Sequence, residues 1–528
     1  MSGGIQAVEL GVFAFIFVAV ATIGFFATRW RRALTLDNLE EWGLAGRKFG
    51  TVITWFLLGG DLYTAYTFVA VPALVYGKGQ TGFFTVPYTI VLYPFAFVVM
   101  PRLWSVARRH GYITPADFTR GRYGSGLLAV LIAVTGIVSI VPYVALQLYG
   151  IRVVFQAMGL GSTSLGTPLP LALAFAILAV YTFNAGLRSP ALTAVLKDIL
   201  IYTVVIVAII YIPLSLGGYA PVFHSAKAAL GAKNFITPAK AYAPYATLAF
   251  GSALALFMYP HNVTGVLASK SRNTVRRNMA ALPAYTLLLA FIGLLGYMAY
   301  AKGIHVKDPN LALPRLFQAS FPNWFTGISF AAIGIGALVP AAIMAIAAAN
   351  LFTRNIWSAY IKRDSSPRLQ TWLAKGFSVL VNGAALAFIL AVKTNFILNF
   401  QLLGGIWILQ TLPAIVFGLY TRWFDRWALV AGWIAGIVTG TLMADAESFK
   451  SSVYAVHQAG LHFSAYAGLI ALACNLVVLL IANAIVKLIR VPPAHDETSP
   501  ADYMAELEGA AAPVALGATP RQAPGLAP

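Results

Sequence analysis

The chain has 528 residues, of which 59% are hydrophobic and only 10% charged, with a mean hydropathy of +0.78 and a formal net charge of +19. Soluble domains carry about a quarter charged residues, so this composition excludes an ordinary soluble protein and predicts membrane lipid as the surrounding solvent. The basic residues fall in short loops between apolar runs, which argues against a nucleic-acid partner. The single Cys474 excludes a disulfide framework or a thiolate metal cluster.

Apolar runs of about 20 residues recur along the chain, which predicts an all-α integral membrane protein with about 13 transmembrane helices. The first run ends in Arg29-Trp30-Arg31-Arg32, the reverse of a signal peptide's charge order, so we expect it to be retained as a span. The predicted spans are 8–28, 49–75, 82–103, 126–157, 168–184, 190–213, 243–261, 280–301, 324–357, 371–392, 397–420, 427–444 and 462–489.

An odd number of spans places the two termini on opposite sides of the membrane. Most of the 36 Lys and Arg residues fall in the loops that are internal if the N-terminus is outside, so the positive-inside rule favours an external N-terminus and a cytoplasmic C-terminus. We therefore expect a multi-pass protein of a bacterial inner (plasma) membrane. Residues 1–490 form one transmembrane domain, and the Pro-, Ala- and Gly-rich residues 491–528 predict a disordered cytoplasmic tail.

Two predicted spans carry helix-breaking residues in their middle or at their end. The second contains Gly59-Gly60-Asp61, and the seventh ends in Pro260-His261-Asn262. Transporters built from inverted repeats place interrupted helices at corresponding positions of their halves, which makes spans 2–6 and 7–11 candidate repeats. Alternatively, the pattern reflects only the frequency of Gly and Pro in membrane helices.

Four stretches resemble the solute:sodium symporter family. They are MPRLWSVARRHGYITPADFTRGRYGS from Met100 to Ser125, AGLRSPALTAVLKDIL from Ala185 to Leu200, YPHNVTGVLASKSRNTVRR from Tyr259 to Arg277, and LPAIVFGLYTRWFDRWALVAGWIAGIVTG from Leu412 to Gly440. The resemblance implies a LeuT-type 5+5 inverted-repeat core formed by spans 2–6 and 7–11.

Two further stretches, GGDLYTAYTFVAVPAL from Gly59 to Leu74 and AANLFTRNI from Ala348 to Ile356, resemble the bacterial monocarboxylate permease branch. The resemblance to that branch implies a symporter rather than an enzyme. Such a symporter would import pyruvate, lactate, acetate or propionate by alternating access. The alternative is a sodium-coupled symporter of the same fold for an amino acid or another small metabolite. The sequence has no P-loop, His-Glu-x-x-His zinc motif or nucleophile elbow, and we expect no cofactor, metal or catalytic residue.

Ionisable residues inside spans are costly unless they face a cavity or a partner, so they are the first candidates for ion coupling. Asp61 lies at the break of the second span, where it can bind substrate, a cation or a proton, or cap the second half-helix. Lys197 and Asp198 lie about 100° apart on one helix, so we expect them to have different partners. Asp61, Lys197 and Asp198 are the predicted ion-coupling residues.

Arg152 lies near the outer end of the fourth span, where it can pair with a substrate carboxylate or extend to the interface. Polar residues are further candidates for substrate binding, with interhelical hydrogen bonding as the alternative. These are Tyr63, Thr64, Thr67, Gln147 and Gln401. We expect His261 to be a structural residue at the membrane interface.

The sequence departs from the family at the sodium site. The resemblance implies Ser or Thr hydroxyls from the ninth span, which would bind sodium against carbonyls of the broken second span. From Phe330 to Ala349 this chain has no Ser, Thr, Asp or Glu, and Lys197 stands where the family usually has a hydroxyl residue. A desolvated lysine can exchange a proton readily, so we expect proton-coupled or sodium-independent uptake. Alternatively, Lys197 only neutralises Asp198 or Asp61, and sodium binds elsewhere.

Overall fold

The computed structural model is predominantly helical, as the hydropathy pattern predicts. It describes residues 6–27, 37–160, 173, 176–181, 183, 186–391, 396–458, 461–492 and 494–504. The helices are α1 (Ala7–Phe26), α2 (Leu39–Leu44), α3 (Thr51–Gly60), α4 (Val71–Lys78), α5 (Thr85–His110), α6 (Pro115–Tyr123), α7 (Gly126–Ala157), α8 (Arg188–Ser215), α9 (Tyr219–Leu230), α10 (Ala232–Phe235), α11 (Tyr242–Leu256), α12 (Pro260–Leu267), α13 (Arg272–Ala281), α14 (Pro283–Ala301), α15 (Ala312–Ser320), α16 (Asn323–Leu351), α17 (Pro367–Ala391), α18 (Leu398–Ile408), α19 (Gly418–Tyr420), α20 (Arg426–Ala446) and α21 (Ala467–Leu488).

Shorter turns link or extend several of these helices. Wider π-helical turns cover Tyr66–Ala70, Phe352–Ile361 and Pro413–Phe417, and 3₁₀ turns cover Ala45–Arg47, Gly79–Phe84, Ala239–Ala241, Pro309–Leu311, Leu409–Thr411 and Pro500–Tyr503.

By length and composition, ten helices among the described residues can cross a membrane, or eleven if the bent pair in the seventh span counts as one. Two of the 13 predicted spans are not counted separately for identifiable reasons. The second span is divided at its break, and its first half, Thr51–Gly60, is too short to be counted. The fifth predicted span, 168–184, lies largely outside the described residues. The total of 13 therefore stays a prediction.

Both expected helix interruptions are present. In the second span α3 ends at Gly60, and the chain continues through the π-helical turn Tyr66–Ala70 before α4 begins. In the seventh span α11 and α12 meet at an angle of 46°, with Pro260 in the first turn of α12. Proline suits this position because its missing N–H is not needed there. Each interruption leaves backbone groups without an intrahelical partner.

Helix α16 forms the centre of the fold, and its apolar stretch is wholly buried. It packs against α1, α7, α8 and α17. Its run of Ala and Gly residues allows these neighbours to approach closely, as is usual where membrane helices pack. The break of the second span is held between α16 and α8.

The last predicted span begins later than expected. Residues 462–466 belong to the antiparallel hairpin of β1 (Val453–Gln458) and β2 (Leu461–Tyr466), and the helix begins at Ala467. The Tyr466 N–H donates to Thr247 Oγ1 at 3.0 Å, and the Tyr466 hydroxyl donates to the Leu402 carbonyl at 2.8 Å. Apolar content alone cannot separate a short strand from the first turns of a helix, which explains the error.

The start of the predicted disordered tail is ordered. We call residues 494–504 the tail segment. Its Asp496 Oδ2 lies 2.7 Å from Arg122 Nη1, and its Asp502 Oδ2 lies 2.9 Å from His110 Nε2. Composition predicts disorder because it treats the tail as isolated, whereas these acidic residues meet basic partners at the ends of α5 and α6. The rest of the expected tail, 505–528, lies outside the described residues.

Candidate functional site

The break of the second span presents two backbone carbonyl oxygens to the side chain of Lys197. The Lys197 Nζ donates to the Gly60 oxygen at 2.5 Å and to the Tyr63 oxygen at 3.0 Å. These carbonyls are available because the helix is interrupted after Gly60. Lys197 is fully buried, so its ammonium group is hydrogen-bonded to protein oxygens instead of to water. The structure therefore has a cationic group bound to the break.

Asp198, the next residue on α8, completes this arrangement. Its Oδ1 lies 3.1 Å from Lys197 Nζ, with both side chains fully buried. Its Oδ2 accepts a hydrogen bond from the Tyr285 hydroxyl at 2.8 Å. Lys197 and Asp198 do have different partners, but they also contact each other. The 100° separation on the helix does not prevent this, because the lysine side chain is long and flexible.

The paired glycines of the break fit these two side chains. A Cβ on Gly59 would overlap the phenol ring of Tyr285, and a Cβ on Gly60 would lie 2.8 Å from Lys197 Nζ. Both positions have ordinary helical or near-helical surroundings, so the need for glycine comes from close approach rather than from backbone conformation. The Gly-Gly pair thus allows Lys197 and Tyr285 to reach the backbone.

Asp61 follows directly, and its side chain is 1% exposed. Neither of its carboxylate oxygens has a hydrogen-bond partner among the described residues, while the charges of Lys197 and Asp198 act on it. A buried carboxyl group without partners is stable when it holds a proton or a cation. This geometry is compatible with an ion-coupling role.

The capping alternative for Asp61 is wrong, because other side chains bind the free amides of the second half. The Ala65 N–H donates to Gln147 Oε1 at 3.1 Å, and the Tyr66 N–H donates to Thr64 Oγ1 at 3.0 Å. The side chains of Gln147 and Thr64 are thus engaged with the backbone of the break. Gln147 retains a buried Nε2 that has no partner in the described part of the chain.

A small cavity of about 20 Å³, roughly the space of one water molecule, lies beside the break. Of the predicted substrate-binding residues it includes Tyr63 and Thr67. Asp61, Thr64, Gln147, Arg152 and Gln401 are not among the lining residues, which are Leu62, Tyr63, Tyr66, Thr67, Tyr88, Thr89, Tyr93, Tyr143, Tyr285, Thr286 and Leu289. Several phenol and threonine hydroxyls line this space beside an apolar wall, so it can hold a small polar molecule such as water.

The structure does not bring Arg152 and Gln401 to this cavity. Arg152 lies on α7, which also contributes Tyr143 to the cavity, but its guanidinium lies outside the cavity, 5.2 Å from the centre of the Tyr149 ring. Gln401 lies at the other break, where its carbonyl accepts the Tyr259 hydroxyl at 2.7 Å. Its buried Oε1 has no partner among the described residues.

Sequence reasoning missed several residues at the site. Tyr285 contacts the ion pair and lines the cavity, but a tyrosine near the start of an apolar helix carries no distinguishing signal. His261 is fully buried rather than interfacial, and its ring lies 5.4 Å from that of Tyr143. Its position beside Pro260 at a predicted break was the signal that could have placed it inside the protein.

An α-helical membrane protein with two interrupted spans and a buried ion pair at one interruption belongs, by its architecture, to the secondary transporters. The model of the sodium:solute symporter family matches residues 42–436. A protein of Rhizobium johnstonii named monocarboxylate transport permease protein is 52% identical over 92% of this chain and 98% of its own length. An uncharacterized symporter of Bacillus subtilis, YodF, is 34% identical over 92% of this chain and 94% of its own.

A solved structure supports the same fold. The substrate-bound, outward-open structure of a Na⁺-coupled sialic acid symporter covers 93% of this chain and 99% of its own, with a TM-score of 0.74 and 15% identity. The chain belongs to the sodium:solute symporter family, and it is a multi-pass membrane symporter with a LeuT-type fold.

Proposed function

We propose that this symporter imports short-chain monocarboxylates such as pyruvate, lactate, acetate or propionate, and that protons rather than sodium ions drive it. The name of the Rhizobium johnstonii relative supports the substrate class, since 52% identity extends over nearly the whole of both chains. The hydroxyls and apolar side chains that line the small cavity are the groups a short-chain acid would contact, and we propose that the cavity widens to admit it.

The contact of Lys197 Nζ with the Gly60 and Tyr63 oxygens carries the proposal for the driving ion. An ammonium group in this position occupies the carbonyls that a sodium ion would use. On the facing helix α16, Gly336 is the residue whose Cβ would lie 3.9 Å from the Tyr63 oxygen, and it offers no hydroxyl. Uptake of a proton by Asp198 would weaken its hold on Lys197, and the contacts of Lys197 with the carbonyls could then rearrange and allow the two halves of the span to move.

A second candidate is a sodium-coupled symporter for an amino acid or another small metabolite. The carboxylate oxygens of Asp61, which have no hydrogen-bond partner among the described residues, favour it, because they can bind a cation. The two candidates differ in both ion and substrate, so one transport assay separates them.

The test is uptake of labelled pyruvate into proteoliposomes with imposed gradients. We expect an inward proton gradient to drive accumulation equally well in sodium and in choline buffer, a protonophore to abolish it, and acetate but not proline to compete. Lys197→Met should lose accumulation, while Lys362→Met, at an exposed position, should behave as the wild type. Uptake that collapses in choline at fixed pH and ignores the protonophore would refute the proposal.

We also propose that the protein lies in a bacterial inner membrane with its N-terminus outside and its C-terminus in the cytoplasm. In support, the ends of α5 and α6 and the start of α13 present a cluster of arginines beside the tail segment. Green fluorescent protein fused after the last residue should fluoresce, and alkaline phosphatase fused there should be inactive. The opposite pair of results would reverse the orientation.

A further inference from the structure

Tyr285 touches both the buried ion pair and the cavity. Its hydroxyl donates to Asp198 Oδ2 at 2.8 Å, and it is also one of the cavity-lining residues. Asp198 in turn contacts Lys197, whose Nζ holds the carbonyls of the broken span. One phenol group therefore connects the proposed proton site with the proposed substrate site.

The ring of Tyr285 is fixed in place. It lies against Gly59, and its centre is 4.9 Å from that of Trp55 and 4.7 Å from that of Tyr63. Its backbone carbonyl accepts the Tyr63 hydroxyl at 2.7 Å. Because the ring is held on several sides, the freedom that remains is the rotation of the hydroxyl proton about the C–O bond.

That rotation depends on the protonation of the pair. A phenol has one proton to donate, and while Asp198 is a carboxylate this proton is engaged by it. When the pair takes up one more proton, Asp198 becomes a carboxylic acid and can donate to the Tyr285 oxygen instead. The Tyr285 proton can then turn toward another acceptor, either the neighbouring Tyr202 hydroxyl or the carboxylate of a substrate in the cavity.

Few other charged groups face this site. From the break come Asp61 and Tyr63, and α5 contributes Tyr88 and Tyr93, which line the same cavity. Helix α8 contributes Tyr202, whose ring centre lies 5.7 Å from that of Tyr285. Helix α16 contributes no charged residue between Phe330 and Ala349. On α1 Glu9 binds Gln318, and on α9 His224 and Lys227 are exposed. Among the residues that the structure describes, the titratable groups around Tyr285 are thus the pair, Asp61 and these phenols.

We propose that Tyr285 is the positioning residue that couples the proton to the substrate: protonation of the Lys197–Asp198 pair turns the Tyr285 hydroxyl from Asp198 toward the substrate carboxylate. This inference rests on the proposed function. Coupling of this kind is reciprocal, so a bound acid also holds the proton on the pair. The two then cross the membrane together, as symport requires.

The test is the pH dependence of the KM for pyruvate in proteoliposomes. In the wild type KM rises as the pH rises, because the pair loses its extra proton. In Tyr285→Phe we expect a KM about tenfold higher at low pH, corresponding to one lost hydrogen bond to a charged group, and nearly constant with pH. Tyr297→Phe on the same helix, whose ring packs on Phe83 and Phe235, should retain the wild-type profile.

A second variant separates this role from damage to the fold. Asp198→Asn places a permanent donor beside Tyr285, so its KM should stay low and independent of pH, although accumulation against a gradient is lost. A wild-type pH profile in Tyr285→Phe, or a raised KM in Asp198→Asn, would overturn the inference while leaving proton coupling intact. Wild-type transport that ignores pH and protonophore would overturn the proposed function, and this inference with it.

Discussion

Gly60 and Lys197 meet across the break of the second span: the carbonyl oxygen of Gly60 accepts a hydrogen bond from Lys197 Nζ at 2.5 Å, although the two residues lie 137 positions apart. The contact requires both a helix that ends at this carbonyl and a glycine without a Cβ beside it. It joins α8 to the interrupted span through a single cationic group. When the second span changes conformation here, this contact must therefore either be lost or move together with Lys197.

The free energy of unfolding should depend on whether both members of the Lys197–Asp198 ion pair are present. Lys197→Met leaves the fully buried Asp198 without its cation, and the cost of breaking such a pair is about 3–5 kcal/mol. The double variant Lys197→Met/Asp198→Asn removes both charges and should recover much of this loss. Thermal unfolding in detergent of the two single variants and the double variant measures the coupling. Additive losses would show that the two residues are stabilised independently.

The glycines of the break should differ from glycines elsewhere in the membrane. Gly59→Ala introduces a Cβ that overlaps the Tyr285 ring, and we expect it to cost roughly 1–3 kcal/mol through overpacking. Gly383→Ala in α17 is the matched control, because no atom lies within 4 Å of its added Cβ. Unfolding temperatures from fluorescence-detected size-exclusion chromatography compare them. Equal temperatures for both variants would contradict the close packing described at Gly59.

A sodium site should be recoverable at the same carbonyls. Lys197→Ala removes the ammonium, and Gly336→Ser adds a hydroxyl on α16, where a Cβ would be 3.9 Å from the Tyr63 oxygen. We expect the double variant Lys197→Ala/Gly336→Ser to show sodium-stimulated exchange of pyruvate. The control is Lys197→Ala/Gly336→Ala, which has the same volume without the hydroxyl. Exchange that is indifferent to sodium in the serine variant would mean that this site cannot hold the ion.

The docking of the tail segment should depend on Arg122. Its guanidinium binds Asp496 and donates to the carbonyls of Gly418 at 3.0 Å and Thr421 at 2.8 Å, so Arg122→Ala removes three contacts. We expect cleavage by a glutamyl endopeptidase after Glu497 to become about tenfold faster. Arg120→Ala, on the exposed side of α6, is the control. Unchanged cleavage of the Arg122 variant would indicate that the segment is held by other contacts.

The same docking should weaken in acid. Burial acts to raise the pKa of Asp502, but hydrogen bonds from the Ser499 backbone and hydroxyl and from His110 outweigh it, so the pKa lies below its ordinary value of 3.8. A lowered pKa in the docked state means that the stabilisation is present above the ordinary value and is lost as the pH falls through the lowered one. Asp502→Asn should therefore speed cleavage at neutral pH and remove the acid dependence. A variant that still responds to acid would assign the effect to another group.

Much of the architecture was predictable because hydropathy and helix-breaking residues act locally. The apolar runs predicted the membrane helices, and Gly59-Gly60 and Pro260 predicted the two breaks, since lipid forces every span to satisfy its own backbone groups. The strand at 462–466 was missed because a short apolar segment gives no periodicity that separates strand from helix. The docked tail segment was missed because its stability comes from partners elsewhere in the chain.

The sequence by itself determined the class of protein, the places where spans are interrupted, and the few ionisable residues that lipid would not tolerate without a role. The tertiary structure alone decided their partners: Lys197 with the carbonyls of Gly60 and Tyr63, Asp198 with Tyr285, Gln147 with the Ala65 amide, and Arg152 outside the cavity. The physical reason is the distance along the chain over which each effect acts. Hydropathy and helix propensity depend on neighbours within a few turns, whereas each of these contacts joins residues far apart in the chain and exists only once the helices have packed.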